Sequence, residues 1–250
     1  MALRKKIKSQ SKNKVLIVQN SESEGPGLLL EAIKEHGIKF NIIDLNKKQE
    51  LPSPSHYSAL IVLGGPDSAN DKTKKTIAAL KAIKEALDSK TPFLGICLGM
   101  QMLVKACNGN VFKSRIKEIG WRSHDKQFFR VFLTKKGKAD ALFKGIKSPV
   151  RIFQLHGETV KLKKGMRLLA EGRHCKNQVV KIGSNAYGIQ GHLELSQKMF
   201  KKWIAEDTDL RLLDSALLKS DYAEIRSRYE RTGKKMIENF LGTAGLITPR

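Results

Sequence analysis

The sequence predicts an α/β fold in which helices cover both faces of a doubly wound, mostly parallel sheet. In the first half of the chain, short continuous apolar runs alternate with segments of helical periodicity, a pattern typical of parallel strands buried on both faces. Shorter β-like runs follow from Val111, and a helical pattern follows Leu195. We therefore expect extra β segments beside the parallel sheet and a C-terminal helical extension.

The elements of the parallel sheet can be assigned in chain order. Apolar runs predict four strands, at residues 15–19, 40–43, 59–63 and 92–96. Helical periodicity marks three segments, at residues 28–33, 77–87 and 100–107. Gly37 and the pair Asn108-Gly109 provide stops for the first and third helices. Large apolar residues predict the buried face of the second helix: Ile77, Leu80, Ile83 and Leu87. Ligands of such sheets bind at the carboxyl ends of the strands, so we expect the functional site there.

The second half of the chain is predicted to add short strands and then helices. The β-like runs lie at residues 128–133, 150–155, 178–182 and 186–190. A stripe at helical spacing predicts a late helix that packs on the main domain: Tyr222, Ile225, Tyr229, Met236 and Phe240. Three parts are therefore predicted, namely a basic flexible tail (1–13), a main domain (14–205) and a C-terminal helical extension packed on it (206–250).

Composition and charge exclude several classes of protein. The 250 residues are 40% hydrophobic and 28% charged, which is ordinary for a globular protein. No apolar run reaches about 18 residues, so no membrane span is expected. Three widely spaced cysteines offer neither a disulfide framework nor a metal knuckle. We expect a cytoplasmic protein with no metal ion and no cofactor.

The net charge of +23 attracts anions. A lysine-rich solvated surface is the preferred interpretation, because no nucleic-acid-binding motif accompanies the charge, and a nucleic-acid face is the alternative.

One pentapeptide carries the strongest chemical signal. Gly95-Ile96-Cys97-Leu98-Gly99 lies where a predicted buried strand meets an amphipathic helix, which is the nucleophile-elbow pattern with cysteine in place of serine. The helix N-terminus favours the thiolate, the reactive form of cysteine, and the amide of Leu98 points to where an oxyanion would form. A buried structural cysteine is the alternative. Of the other thiols, Cys107 is expected in the core and Cys175 in a loop.

A cysteine nucleophile needs a base, and His192 has a suitable neighbour. It follows the predicted strand at 186–190, and Glu194 lies two residues further on. Residues i and i+2 of an extended segment face the same way, so this carboxylate can hold the imidazole in the tautomer that accepts a thiol proton. The spacing alone does not bring His192 to Cys97.

These segments resemble a known family. The heptapeptides 95–101 and 188–194 resemble the class I glutamine amidotransferases, and more narrowly the stand-alone proteins similar to the glutaminase domain of GMP synthase. Further matches occur in the family's order, at Leu63-Gly64-Gly65-Pro66, Lys117-Glu118-Ile119-Gly120-Trp121 and Gln154-Leu155-His156-Gly157-Glu158. The resemblance covers residues 14–205 and implies a flavodoxin-like sheet.

The resemblance implies a mechanism and a small-molecule substrate. Cys97 attacks the side-chain amide of glutamine, His192 takes the thiol proton and returns one to departing ammonia, and Glu194 orients His192. The γ-glutamyl thioester that forms is then hydrolysed to glutamate.

The resemblance also implies an oxyanion hole and a substrate pocket. The backbone amides of Gly65 and Leu98 would hold the oxyanion, and glycine suits the first position because the backbone itself must approach the substrate. Gln101 and His156 match positions that line the glutamine pocket, with local hydrogen bonding as their alternative role. One departure from the family is Leu193, where proline is usual between the histidine and the glutamate.

The destination of the ammonia stays open. The turn at Gly64-Gly65-Pro66 is not an ATP-binding loop, because the proline removes a backbone donor. Amination would therefore need a partner, such as a separate synthetase. One alternative is a self-sufficient hydrolase or peptidase acting on a γ-glutamyl compound. A second is a non-catalytic protein that binds anions or nucleic acid on the same fold. The C-terminal helices are candidates for binding a partner or forming a homodimer.

Overall fold

The structure is a computed structural model that describes residues 13–248, and a nine-stranded sheet forms its centre. The strands are β1 (Lys14–Gln19), β2 (Lys39–Asp44), β3 (Ala59–Val62), β4 (Phe93–Ile96), β5 (Asn110–Gly120), β6 (Arg130–Leu133), β7 (Val150–Arg151), β8 (Gln154–Lys161), β9 (Met166–Gly172), β10 (Val179–Ile182) and β11 (Ala186–Ile189). The helices are α1 (Gly27–Glu35), α2 (Lys74–Asp88), α3 (Leu98–Ala106), α4 (Lys135–Lys138), α5 (Gln197–Glu206) and α6 (Ser215–Thr243). The predicted flexible tail, apart from its last residue, lies outside the described residues.

The large sheet has a parallel half and an antiparallel half. Its strand order is β2-β1-β3-β4-β11-β10-β9-β6-β7. Every neighbouring pair from β2 to β11 is parallel, and every later pair is antiparallel. The carboxyl ends of β1, β3, β4 and β11 therefore share one edge, which is where a doubly wound sheet binds its ligands. The predicted fold class is confirmed.

Apolar side chains on both faces of the sheet make up the core. All residues of β3, β4 and β11 are buried, as a parallel sheet with helices on both sides requires. One hydrophobic cluster joins the sheet to α1, α5 and α6, and the other joins it to α2 and α3.

The prediction of which face of α2 is buried is partly wrong. The side chain of Ile77 is 56% exposed. The buried residues of this helix are Thr76, Ala79, Ala82, Ile83 and Ala86. Small residues allow α2 to lie close to its neighbours, so the large apolar residues at helical spacing did not all identify the packed face.

A separate two-stranded sheet, formed by β5 and β8, lies beside the large one. The single strand predicted at 150–155 is wrong, because this segment divides into β7 and the start of β8. β5 was not predicted. Most of its side chains are exposed, including Phe112 and Ile116, and its pairing shifts register between Lys113 and Glu118. Neither strict alternation nor a continuous apolar run therefore marks it in the sequence.

The long helix α6 fixes the segment that follows β11. Its predicted stripe is buried, and Tyr222 stacks on Trp121 with ring centroids 5.6 Å apart. An added Cβ at Gly233 would lie 2.3 Å from the Leu193 carbonyl oxygen, so only glycine permits the helix to pass this close. None of the described helices, α6 included, combines the length and the apolar character needed to cross a membrane.

Candidate active site

Cys97 occupies a strained turn between β4 and α3. Its backbone has φ 50° and ψ −107°, a conformation that costs about 1–3 kcal/mol. The turn requires both flanking glycines: an added Cβ at Gly95 would lie 2.4 Å from the Gly99 carbonyl oxygen, and one at Gly99 would lie 2.1 Å from that of Val62. The Cys97 amide donates to the Ile189 carbonyl at 2.8 Å. The neighbouring strands thus hold the thiol at the carboxyl edge of the sheet.

His192 and Glu194 follow β11, the strand beside β4. His192 Nδ1 and Glu194 Oε1 are 2.8 Å apart, and both side chains are 1% exposed. The His192 amide donates to the Phe153 carbonyl at 2.7 Å, and its carbonyl accepts from the Tyr229 hydroxyl at 2.7 Å. His192 Nε2 is buried, and no described residue gives it a normal hydrogen bond. The carboxylate therefore orients the ring and leaves Nε2 available.

The thiol of Cys97 lies next to this ring, although Sγ and Nε2 do not form a well-aligned hydrogen bond. Sγ contacts the Leu155 carbonyl oxygen at 3.7 Å and Gln190 Nε2 at 3.9 Å. Such bonds often form only when substrate is bound. Burial raises the pKa of the Cys97 thiol, and the polar interaction and charge of His192 oppose that rise.

The imidazole of His192 is a strong base. Burial by itself lowers its pKa, but the interactions with Glu194 and Cys97 together outweigh burial, so the pKa of the ring lies well above its ordinary value. The ring can therefore take the thiol proton, and the imidazolium that results stabilises a thiolate beside it.

Gly65 and Leu98, whose backbone amides are expected to hold an oxyanion, are neighbours in the structure. Leu98 is the first residue of α3, so its amide has no carbonyl partner within the helix. Gly65 lies in the turn after β3, where an added Cβ would be 2.8 Å from Asn20 Cβ and 3.2 Å from Leu98 Cδ2. The positive end of the helix dipole acts at the same place. This corner beside Cys97 can accommodate a developing negative charge.

Gln101 and His156 both bind one backbone carbonyl. Gln101, one turn into α3, is buried and donates through Nε2 to the Glu158 carbonyl at 3.3 Å. His156 Nδ1 donates to the same carbonyl at 3.1 Å, and its Nε2 is 3.0 Å from Glu118 Oε2. Both ring nitrogens of His156 are thus engaged within the protein. The β8 atom that contacts the thiol is the carbonyl oxygen of Leu155.

A second buried cluster consists of Glu118, His156 and Cys175. Their donor atoms lie within 4.8 Å of one another, so these are the described residues that could hold a metal ion. In the structure they bind one another and their neighbours instead. Burial raises the pKa of Cys175 to about 11, so this loop thiol stays protonated at neutral pH. Cys107, predicted in the core, is only half-buried at the end of α3, where the last helical turn reaches solvent.

Glu24, which was not predicted as a site residue, reaches the same site from the loop between β1 and α1. An added Cβ at Gly64 would lie 2.1 Å from Glu24 Oε2 and 3.1 Å from His192 Cε1. Burial raises the pKa of Glu24 to about 7, and His192 opposes that rise. The sequence did offer one indication of a role for Glu24. This residue follows β1, and the carboxyl end of β1 lies at the functional edge of the sheet.

Known proteins resemble this chain over most of its length. The family model for glutamine amidotransferase class-I matches residues 18–210. The glutamine amidotransferase-like protein YfeJ of Salmonella typhimurium is 26% identical over 189 residues, which are 73% of this chain and 76% of that protein. The GMP synthase of Wigglesworthia glossinidia brevipalpis is 25% identical over 192 residues, which are 74% of this chain but only 34% of that enzyme. The chain thus matches about a third of the length of such a GMP synthase.

Solved structures agree with these sequence matches. A glutamine amidotransferase from Thermotoga maritima is 27% identical, with a TM-score of 0.81 over 91% of this chain and 97% of the other. One from Methylobacillus flagellatus is 25% identical, with a TM-score of 0.79 over 92% and 95% of the two chains. Because the family model covers well over half of the sequence and the fold agrees, this chain belongs to the class I glutamine amidotransferase family.

Proposed function

We propose that the chain hydrolyses the side-chain amide of glutamine, with Cys97 as nucleophile, His192 as base and acid, and Glu194 as the residue that orients His192. One observation carries the proposal: a strained turn presents Cys97 beside a histidine whose Nδ1 is bound at 2.8 Å by a buried carboxylate. A cysteine that only filled space would need neither the positive φ nor this neighbour. Membership of the family supports the same chemistry.

Formation of a thioester is the first half of the proposed reaction. His192 Nε2 takes the proton of the Cys97 thiol, and Sγ attacks the carbon of the substrate amide. The oxygen becomes negatively charged and binds to the amides of Gly65 and Leu98. When the carbon–nitrogen bond breaks, the proton on His192 passes to the leaving nitrogen, and ammonia departs.

Hydrolysis of the thioester completes the cycle. A water molecule gives one proton to His192, and its oxygen attacks the thioester carbon. The carbon–sulfur bond breaks, the Cys97 sulfur regains the proton, and glutamate leaves. We propose that Gln101 and the backbone of β8 together line the substrate pocket. His156 would then act on the pocket through the Glu158 carbonyl that it shares with Gln101.

The ammonia is proposed to pass to a synthetase activity. The support is the similarity to GMP synthases, of which the chain matches about a third of the length. A homodimer through the C-terminal helices stays a hypothesis, and nucleic-acid binding stays the less favoured alternative.

Incubation of the purified chain with glutamine and a panel of γ-glutamyl amides and peptides tests the proposal. Glutamine should release equal amounts of ammonia and glutamate. Cys97→Ala should remove this activity, and the matched control Cys107→Ala should keep it, because Cys107 lies half-buried outside the site. Unchanged release by the Cys97→Ala variant would refute the assignment. Turnover of γ-glutamyl peptides without turnover of glutamine would assign the self-sufficient hydrolase instead.

A further inference from the structure

Glu24 brings a second carboxyl group close to the imidazole of His192. Its Oε2 atom is buried, and no described residue provides a hydrogen-bond partner for it. This oxygen and His192 Cε1 both lie within 3.1 Å of the position that a Cβ atom on Gly64 would occupy. A residue with a side chain at Gly64 would displace the carboxyl group, so the glycine keeps open the space that Glu24 occupies.

The loop that carries Glu24 is tied to the segment that carries the histidine. Trp203 packs its ring against His192, with centroids 4.8 Å apart, and its Nε1 donates to the Ser23 carbonyl at 2.7 Å. On the other side of Glu24, the amide of Leu28 donates to the Glu194 carbonyl at 2.8 Å. The position of the carboxyl group beside the ring is therefore defined by contacts on both sides.

The charges around Glu24 leave one favourable partner. The charged groups that act on it are His192, Glu194, Asp207 and Asp67, and three of these four are acids, of which Asp67 is paired with Lys75. A buried carboxyl oxygen without a partner is costly and needs an explanation. The imidazolium form of His192 supplies one, because it is the only positive charge in this group.

We propose that Glu24 is a positioning residue of the active site, whose carboxylate faces the Cε1 edge of His192 and stabilises the imidazolium while Glu194 holds Nδ1. This inference rests on the proposed function. The proton moves from Cys97 Sγ to His192 Nε2, and no bond to Glu24 forms or breaks. Two carboxylates then face adjacent edges of the ring, which favours the thiolate–imidazolium pair over the neutral pair.

The charge on Glu24 has two opposing effects, and they predict opposite results. It stabilises the imidazolium, but it also faces the thiol and raises the pKa of Cys97. If the first effect is larger, removal of the charge makes Cys97 less reactive. If Glu24 merely repels the thiolate, removal makes Cys97 more reactive. The position of the carboxyl group beside Cε1 favours the first effect.

The experiment measures alkylation of Cys97 by iodoacetamide between pH 5 and 9 in the wild type and in Glu24→Gln, with the modified peptide quantified by mass spectrometry. We expect alkylation at pH 8, where most of Glu24 is ionised, to fall about tenfold in Glu24→Gln, the effect of one pKa unit on the proton equilibrium. Glu24→Asp, which keeps the charge at shorter reach, should restore part of the rate. Glu22→Gln is the matched control, because Glu22 is exposed on the same loop, and it should match the wild type.

Two further readouts separate positioning from folding and from turnover. Thermal melting of each variant shows whether the fold is kept, and kcat for glutamine should fall in Glu24→Gln with little change in KM. Alkylation of Glu24→Gln that equals or exceeds the wild-type rate would overturn the proposal, as would equal losses in Glu24→Gln and Glu24→Asp. Because alkylation needs no substrate, failure to hydrolyse glutamine would refute the proposed function and leave this test intact.

Discussion

Replacement of Glu118 by glutamine is expected to destabilise the fold. Its carboxylate is the centre of the second buried cluster, where it accepts from the Cys175 amide at 3.1 Å and from Gln178 Nε2 at 2.8 Å, and lies 3.0 Å from His156 Nε2. The side chains of Glu118 and His156 are each 1% exposed. Glutamine keeps the shape but replaces one acceptor oxygen with an NH₂ group, which then faces other donors.

The magnitude follows from the burial of the pair. A buried donor left without its acceptor costs about 1–3 kcal/mol, and three donors face the Glu118 carboxylate. Glutamine retains one acceptor oxygen, so we expect a loss of about 3 kcal/mol in the free energy of unfolding. One kcal/mol shifts the melting temperature of a protein of this size by roughly 2–4 °C, so Glu118→Gln should lower it by roughly 6–12 °C.

Circular dichroism during heating and urea denaturation measures this loss. Glu171→Gln is the matched control, because Glu171 is an exposed residue on β9, and its melting temperature should stay close to that of the wild type. His156→Gln should be about as destabilising as Glu118→Gln, and the double variant should lose less than the two single losses combined. A melting temperature of Glu118→Gln equal to that of Glu171→Gln, or strict additivity in the double variant, would refute the reasoning.

Three further predictions concern the thiols, the turn and the surface charge. An electrophilic glutamine analogue should modify Cys97 and spare Cys175, because burial raises the pKa of the Cys175 thiol to about 11. Peptide mass spectrometry measures which cysteine is modified, and preferential modification of Cys175 would contradict the prediction. Gly99→Ala should abolish activity and lower the melting temperature, because its Cβ would lie 2.1 Å from the Val62 carbonyl oxygen; a stable, active variant would refute the elbow geometry. Filter binding should show only weak association with RNA that falls steeply with salt, and a tight, salt-resistant complex would favour a nucleic-acid function.

The parallel half of the sheet and the elbow could be predicted because their signals are local. A continuous apolar strand followed directly by a helix determines where Cys97 lies, and glycines at 95 and 99 are needed wherever such a turn occurs. The pair His192 and Glu194 follows from the same kind of signal, since two residues of an extended segment share a face. That both approach Cys97 depends on the pairing of β11 with β4, which no local pattern reveals.

The features that could not be predicted depend on contacts between distant residues. Glu24 is an ordinary loop residue in the sequence, and only the meeting of β1, β3 and the segment after β11 brings it to the ring of His192. The sequence of β5 shows neither a regular alternation of apolar and polar residues nor a continuous apolar run, because its side chains are mostly exposed and its pairing with β8 shifts register. Ile77 shows that residue size can mislead, since alanines form much of the packed face of α2.

The central claim is that Cys97 becomes acylated by the side chain of glutamine. Rapid acid quenching of the wild-type chain with glutamine, followed by peptide mass spectrometry, tests it most directly. We expect a γ-glutamyl group on the peptide that contains Cys97, formed no later than ammonia is released and absent from the Cys97→Ala variant. Ammonia release with Cys97 unmodified at every time point, or a γ-glutamyl group on another residue, would contradict the claim.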